Sequence, residues 1–224
     1  MRHGDYHQLA DTPSAYQPFP LTAAGEAQAA TGAAELQSLL AAHSLALCPE
    51  IDSSTLLRAW QTAGIFAGKL SATGGPADIA SFDALAERCV GSVANLSAAR
   101  IAQIVAADPR YEPLPGGWKS ASHFRLPFPG AESLMEAGER VALHIRERMD
   151  ALAAAPRTDT LKLFVGHGAA FRHAAHLLGV LNFDDIPALS MHHGRPVLLE
   201  RLARGRWQHL DGEWKHRAGH SYTD

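Results

Sequence analysis

Apolar positions in this chain alternate between stretches with a helical period and short apolar runs. Thr22 has the character of an N-cap, Glu26 favours the early turns, and Ala29, Ala33, Leu36 and Leu40 recur at helical spacing. This predicts a helix to about His43. An apolar stretch between Leu45 and Ser53 predicts a strand. Leu56 to Leu70 predicts a second helix with Ile65 and Phe66 on its apolar side, broken by Gly74-Gly75-Pro76. A short strand near Ile79–Phe82 and a helix over about Ser97–Ala107 follow.

Residues 108–130 break the pattern. Five prolines and three glycines lie among Trp118, Lys119, His123, Phe124 and Arg125, so the segment reads as an irregular lid or binding loop. Periodicity then returns. Ser133 to Leu152 reads as a helix, Leu161–Val165 as a compact buried strand, and Ala169–Leu178 as a helix ended by Gly179. Val197–Leu202 predicts another strand. Asp211-Gly212 predicts a two-residue hairpin turn between Trp207–Leu210 and Glu213–His216, with Trp207 and Trp214 as packing residues. Strands alternating with helices, with no internal repeat, argue for an α/β layered domain.

Composition narrows this further. At 224 residues the chain suits a single domain, with 108–130 inserted as a lid or specificity segment. A net charge of -3 gives no global sign of nucleic-acid or membrane binding. Two cysteines, Cys48 and Cys89, make no disulfide framework, so a cytoplasmic setting is expected. No apolar run reaches membrane-spanning length. The expected partner is a small molecule, with the chain as monomer or homodimer.

Four separated segments hold residues suited to phosphoryl transfer. In Arg2-His3-Gly4, arginine neutralises phosphoryl oxygens, imidazole can attack phosphorus, and glycine lets backbone approach an anion. Arg58 follows a predicted strand and enters a helix. Glu87 and Arg88 stand between Leu85 and Gly91, with Asp83 as a nearby alternative acid. In Val165-Gly166-His167-Gly168 a strand runs straight into a helix, which aims His167 and helix N-terminal amides at one point. His173 and His176, at i and i+3, have the spacing of metal ligands but lack an evident third, so packing or solvated roles are expected. His192-His193 either approaches the site or forms a plain loop, and Arg88 either serves the site or pairs locally.

These segments, in this order, resemble the histidine phosphatase superfamily of phosphoglycerate mutase-like proteins. The resemblance extends to Pro20-Leu21-Thr22 with Gly25 and Gln28-Ala29, to Gly130-Ala131-Glu132-Ser133 with one extra alanine, and to Phe171-Arg172. It implies a three-layer α/β/α sandwich with a mostly parallel central sheet. It also implies catalysis without metal or other cofactor. His3 would be the nucleophile, and Arg2, Arg58, His167 and Gly168 would hold the phosphoryl group, with His167 protonated beside it. Glu87 would protonate the leaving oxygen and then deprotonate water. Phosphomonoester hydrolysis of a small metabolite is the leading expectation. The alternatives are a phosphomutase and a non-catalytic phospho-ligand or protein-binding member. Asp5-Tyr6-His7-Gln8 does not resemble the mutase continuation. Specificity is expected in 108–130, where Trp118 and Phe124 would cover a sugar or apolar group and Lys119 and Arg125 would hold a second acidic group. The family also places an apolar strand ahead of Arg-His-Gly, so the first strand is expected to be truncated here and the natural start to lie upstream.

Overall fold

The computed structural model describes residues 1–71, 78–153 and 159–217; the Gly74-Gly75-Pro76 break lies outside them. Strands are numbered β1 (Ala46–Leu47), β2 (Glu50–Ser54), β3 (Asp78–Phe82), β4 (Thr160–Leu161), β5 (Phe164–Val165), β6 (Leu189–Met191), β7 (Leu198–Arg201), β8 (Trp207–Asp211) and β9 (Trp214–His216). β2 lies at the centre of a parallel ladder. It pairs β3 from Glu50↔Asp78 to Ser54↔Phe82, and β5 at Asp52↔Phe164 and Ser53↔Val165. β1 and β4 form a second parallel pair. The expected Leu161–Val165 strand is thus split in two. The break falls at Lys162, whose ammonium turns onto Asp52 at 2.5 Å and onto the Glu50 carbonyl at 2.8 Å.

Parallel strands need crossover connections, and helices supply them on both faces. The helices are α1 (Ala23–Ala42), α2 (Leu57–Ser71), α3 (Ala98–Ala107), α4 (Leu134–Ala153) and α5 (Gly168–Leu177). Ala29, Ala33 and Leu36 of α1 join Ala63 and Phe66 of α2 against Ile51, Leu163 and Val165. Val141 and Ile145 of α4 join Ala170 and Ala174 of α5 on the other side, with Phe164 packed against them. Leu163 and Val165 face one layer and Phe164 the other, as the two-residue period of a strand requires. The result is the expected α/β/α arrangement. α3 builds a third cluster with Val93, Trp118, Leu126 and Ala131. Between 108 and 130 the only regular element is a single 3₁₀ turn, Trp118–Ser120.

The C-terminal part differs from expectation. β8 does not form a hairpin with β9; it pairs antiparallel with β7, and β9 pairs with β6. Asp211-Gly212 therefore carries the chain from one ladder to the other. A side chain at Gly212 would place its first carbon 2.5 Å from the Pro196 carbonyl oxygen. Trp207 is buried in the second core cluster and Trp214 packs against it, as expected.

The first residues lie within the sheet. Arg2 bridges in parallel to Gly166 on one side and His193 on the other. Met1 is buried, its amine donates to Phe164 O at 2.7 Å, and burial lowers that amine to about 5. Beside Met1 lies a cavity of about 700 Å³, lined by Leu161, Leu163 and Phe164 of the parallel part and by Leu198, Leu199 and Trp207 of the antiparallel part. On β2, fully buried Asp52 pairs with His144 at 2.9 Å and Arg148 at 2.8 Å as well as Lys162. Burial would raise its carboxyl, but hydrogen bonds from His144, Lys162 and Arg148 hold it below the usual range. This cluster ties β2 to α4, two residues before Ser54.

Candidate active site

Arg2-His3-Gly4 is fixed from three directions. The His3 amide donates to Gly166 O at 3.0 Å, and the Gly4 amide donates to Thr62 Oγ1 at 3.0 Å. Behind it, Asp5 accepts from Thr22 Oγ1 at 3.0 Å, and Thr22 caps α1. The reason for glycine at position 4 is packing. A side-chain carbon there would stand 2.3 Å from the Gly25 carbonyl oxygen of α1. Close approach to a helix is thus a second demand for glycine at position 4, beside the expected approach of an anion.

The His3 tautomer follows from its partners. Nδ1 lies 2.6 Å from the Gly4 carbonyl, which can only accept, so Nδ1 carries the proton. Nε2 accepts from Arg58 Nε at 3.2 Å. Burial, followed by Arg58, His167 and Arg2, holds the imidazole well below its ordinary pKa, so it is neutral at pH 7. His167 lies 5.0 Å away between ring centroids, Tyr6 5.3 Å and His193 5.7 Å.

Arg58 organises the site. It is fully buried on the first turn of α2 and spends its donors on loop carbonyls: Gln17 at 2.8 Å, Ser14 at 2.8 Å and Ala15 at 2.9 Å. Its guanidinium carbon lies 4.4 Å from the Tyr6 ring centroid. Arg58 Nη2 also donates to His167 Nδ1 at 3.2 Å, which leaves the His167 proton on Nε2, facing Ser54 Oγ at 2.9 Å. Burial, Arg58 and Arg2 drive His167 well below its usual pKa. Without a bound anion His167 is therefore a neutral ring; the proton expected from the sequence belongs to the complex with phosphate. Arg2 is buried against the start of α5, where a side chain on Gly168 would stand 3.1 Å from Arg2 Cδ.

Glu87 is buried, and its Oε1 accepts the Arg88 amide at 2.9 Å. Burial holds the Arg58 pKa below its ordinary value, and the charges of Tyr6 and Glu87 oppose that shift, which places Glu87 in electrostatic reach of the guanidinium. Asp83 is exposed and accepts from Thr55 Oγ1 instead, so it does not join the site. Four of the expected groups thus converge: His3, Arg58 and His167 in direct contact, and Arg2 beside them. Glu87 borders a cavity with Ser14 and Ala15, the loop that holds Arg58.

A model of the histidine phosphatase superfamily, branch 1, matches residues 1–211. The chain belongs to this superfamily. The chain is also similar in fold to solved structures. A structure called mycobacterial hydrolase 2 is 22% identical, with 99% of this chain and 91% of that one covered and a TM-score of 0.67. A mycobacterial glucosyl-3-phosphoglycerate phosphatase is 22% identical over 96% and 94%, with a TM-score of 0.65. The α-ribazole phosphatase of Shigella flexneri is 20% identical over 94% and 92%, also at 0.65. At these identities the likeness is one of fold. A comparison with curated proteins finds none that matches.

The other histidines of the chain sort by packing. His173 is buried, bonds Ala169 O and Ser122 Oγ, and is lowered to about 4 by burial; His176 bonds Leu181 O. No group of three metal-binding side chains occurs among the described residues, and no described helix is long and apolar enough to cross a membrane. Of His192-His193, left open between site and loop, His193 stacks on His3. Sequence reasoning missed Tyr6, Gln17, Ser54 and Thr62. Each meets the reactive segments through contacts that carry no spacing signal, although Tyr6 stands three residues from His3.

Proposed function

We propose that this chain hydrolyses phosphomonoesters of small metabolites through a phosphohistidine on His3. The observation that carries the reading is the state of His3: neutral, protonated on Nδ1, with its Nε2 lone pair turned toward Arg58. An imidazole held this way is a nucleophile facing a cation. When substrate binds, the Arg58 Nε–H moves from His3 Nε2 to a phosphoryl oxygen. Arg2 and the amides at the start of α5 take the others. The dianion offsets the field of Arg58 and Arg2, which favours a proton on His167 in the complex.

His3 Nε2 then forms a bond to phosphorus as the ester P–O bond breaks. Glu87 gives its proton to the leaving oxygen, and the alcohol departs. Water next attacks the phosphorus while Glu87 takes its proton. The N–P bond breaks, its electron pair returns to Nε2, and inorganic phosphate leaves. Two guanidinium groups supply the positive charge, so the scheme calls for no metal. Membership of the superfamily and the likeness to two structures called phosphatases support the hydrolytic reading.

The test is phosphate release from a panel of phosphomonoesters, with and without a bisphosphate primer and with His3→Ala as control. Release by the wild type and none by His3→Ala is expected. Primer-dependent isomerisation without released phosphate would replace this reading with a mutase. No turnover and no label on His3 would leave a binding protein.

A further inference from the structure

Arg58 is a fully buried cation, and the groups that hold it are neutral. Nη1 donates to the Gln17 carbonyl at 2.8 Å, and Nη2 to those of Ser14 at 2.8 Å and Ala15 at 2.9 Å. Nε faces His3 and Nη2 also faces His167, each at 3.2 Å. The loop carbonyls thus fix how the guanidinium turns in its own plane and leave one edge for the reacting histidines. Its tilt out of that plane is set by Tyr6. The guanidinium carbon lies 4.4 Å from the Tyr6 ring centroid, and the ring stands edge-on to His3, with centroids 5.3 Å apart and planes at 86°.

Tyr6 is itself immobilised. It is buried, its backbone bridges to Leu21, and its hydroxyl lies 2.8 Å from Ser14 Oγ. Ser14 therefore meets Tyr6 through its side chain and Arg58 through its carbonyl. Gln17, fully buried, clasps the same loop: it accepts the Leu9 amide at 2.9 Å and donates to the Pro13 carbonyl at 2.9 Å. Ala15 packs with Trp118 and Leu126, so segment 108–130 backs this loop. Trp118 and Phe124, expected over a ligand, pack on each other with centroids 6.5 Å apart, and Arg125, expected on a second acidic group, pairs with Glu136 at 3.3 Å.

A carboxylate would also hold a buried arginine, but its charge would repel a phosphoryl dianion. An aromatic face attracts a cation through its quadrupole and carries no net charge, and the attraction is stronger where water is excluded. Resting on the phosphatase reading, we propose that Tyr6 is a positioning residue: its ring holds the Arg58 guanidinium in the plane that serves both His3 and the phosphoryl group, and leaves the positive charge free for the dianion. The hydroxyl secures the loop, and the π face serves the reaction.

The test reads inorganic phosphate affinity by calorimetry and kcat/KM on p-nitrophenyl phosphate in variants of the ring. Tyr6→Leu should weaken phosphate binding by roughly tenfold or more. It should lower kcat/KM further, because a displaced guanidinium also releases His3. Tyr6→Phe keeps the π face and drops only the Ser14 bond, so it should rescue both quantities to within about threefold of wild type. Increasingly fluorinated phenylalanines at position 6 nearly keep the shape of the ring and weaken its quadrupole stepwise. Phosphate affinity should fall along that series, whether or not Tyr6→Leu folds. Constant affinity along the series is the result of a purely structural ring; it would overturn the proposal, as would a loss in Tyr6→Phe equal to that in Tyr6→Leu. A wild type that binds phosphate but hydrolyses no p-nitrophenyl phosphate would sink the phosphatase reading alone, and the fluorinated series would still decide the role of Tyr6. A wild type that binds no phosphate would overturn both.

Discussion

At Gly4 an added methyl carbon would stand 2.3 Å from a helix carbonyl, whereas Met1, three residues earlier, borders a cavity of about 700 Å³. One end of this segment is held by Gly166, Thr62 and Arg58; the other keeps its backbone bonds to Phe164 and Gly166 but borders loosely filled space. The contrast follows the difference in demand. A nucleophile misplaced by about 1 Å can lose about 10²-fold in rate, so its supports must be stiff. A cavity away from the reacting groups costs only stability, and that cost is spread over many side chains.

The reactive end should respond sharply to small changes. Glu87→Gln should lower turnover of an alkyl phosphate by about 10²–10⁴-fold, with a smaller loss on p-nitrophenyl phosphate, whose leaving group needs less protonation. Equal losses on both, in steady-state assays, would remove Glu87 as the acid. Gly4→Ala should cost about 1–3 kcal/mol in denaturant unfolding. It should also cost about 10² in kcat/KM through displacement of His3. An unaffected rate would mean that the packing against Gly25 does not position the nucleophile.

The same tight packing carries a pH signature on α5. His173 is lowered to about 4, whereas a histidine in the unfolded chain titrates near 6.5. Between these values the unfolded state binds the extra proton. The stability it confers is therefore complete above about pH 6.5 and is lost as pH falls toward 4, by up to about 3 kcal/mol. His3 and His167 shift the same way, so the contribution of His173 is the difference between wild type and His173→Gln in melting curves from pH 7 to 4. Parallel curves would contradict it. The loose end should give the smallest response. Leu199→Phe, placed on the cavity wall, should be neutral or stabilise by up to about 1 kcal/mol. A loss above about 1 kcal/mol would show that the cavity is less accommodating than its volume implies.

The same two regions differ in how far the sequence reveals them. Helical periodicity located α1 to α4 because each buries one apolar stripe; Ala29, Ala33 and Leu36 mark it on α1, whereas α5 is buried all round from Gly168 to Ala175. Arg2, His3, Arg58 and His167 were legible because their order along the chain matches a family. The neutral state of His167 without a bound anion was not. Neutral His167 depends on burial beside Arg58 and Arg2, which a linear sequence does not display. The Asp211-Gly212 turn misled because a local signal says nothing about partner choice, and β7 and β6 offered better-placed edges. Lys162 interrupted the expected strand for a similar reason: its partner Asp52 lies 110 positions earlier.

The central claim is that His3 carries the phosphoryl group between the two half-reactions. Rapid acid-free quenching during turnover, followed by peptide mass spectrometry, tests it directly. The account predicts one phosphoryl group on the peptide containing His3, on the imidazole, absent from His3→Ala and accumulating in Glu87→Gln with a good leaving group. Steady turnover with an unmodified His3, or a phosphoryl group on another residue, would contradict it.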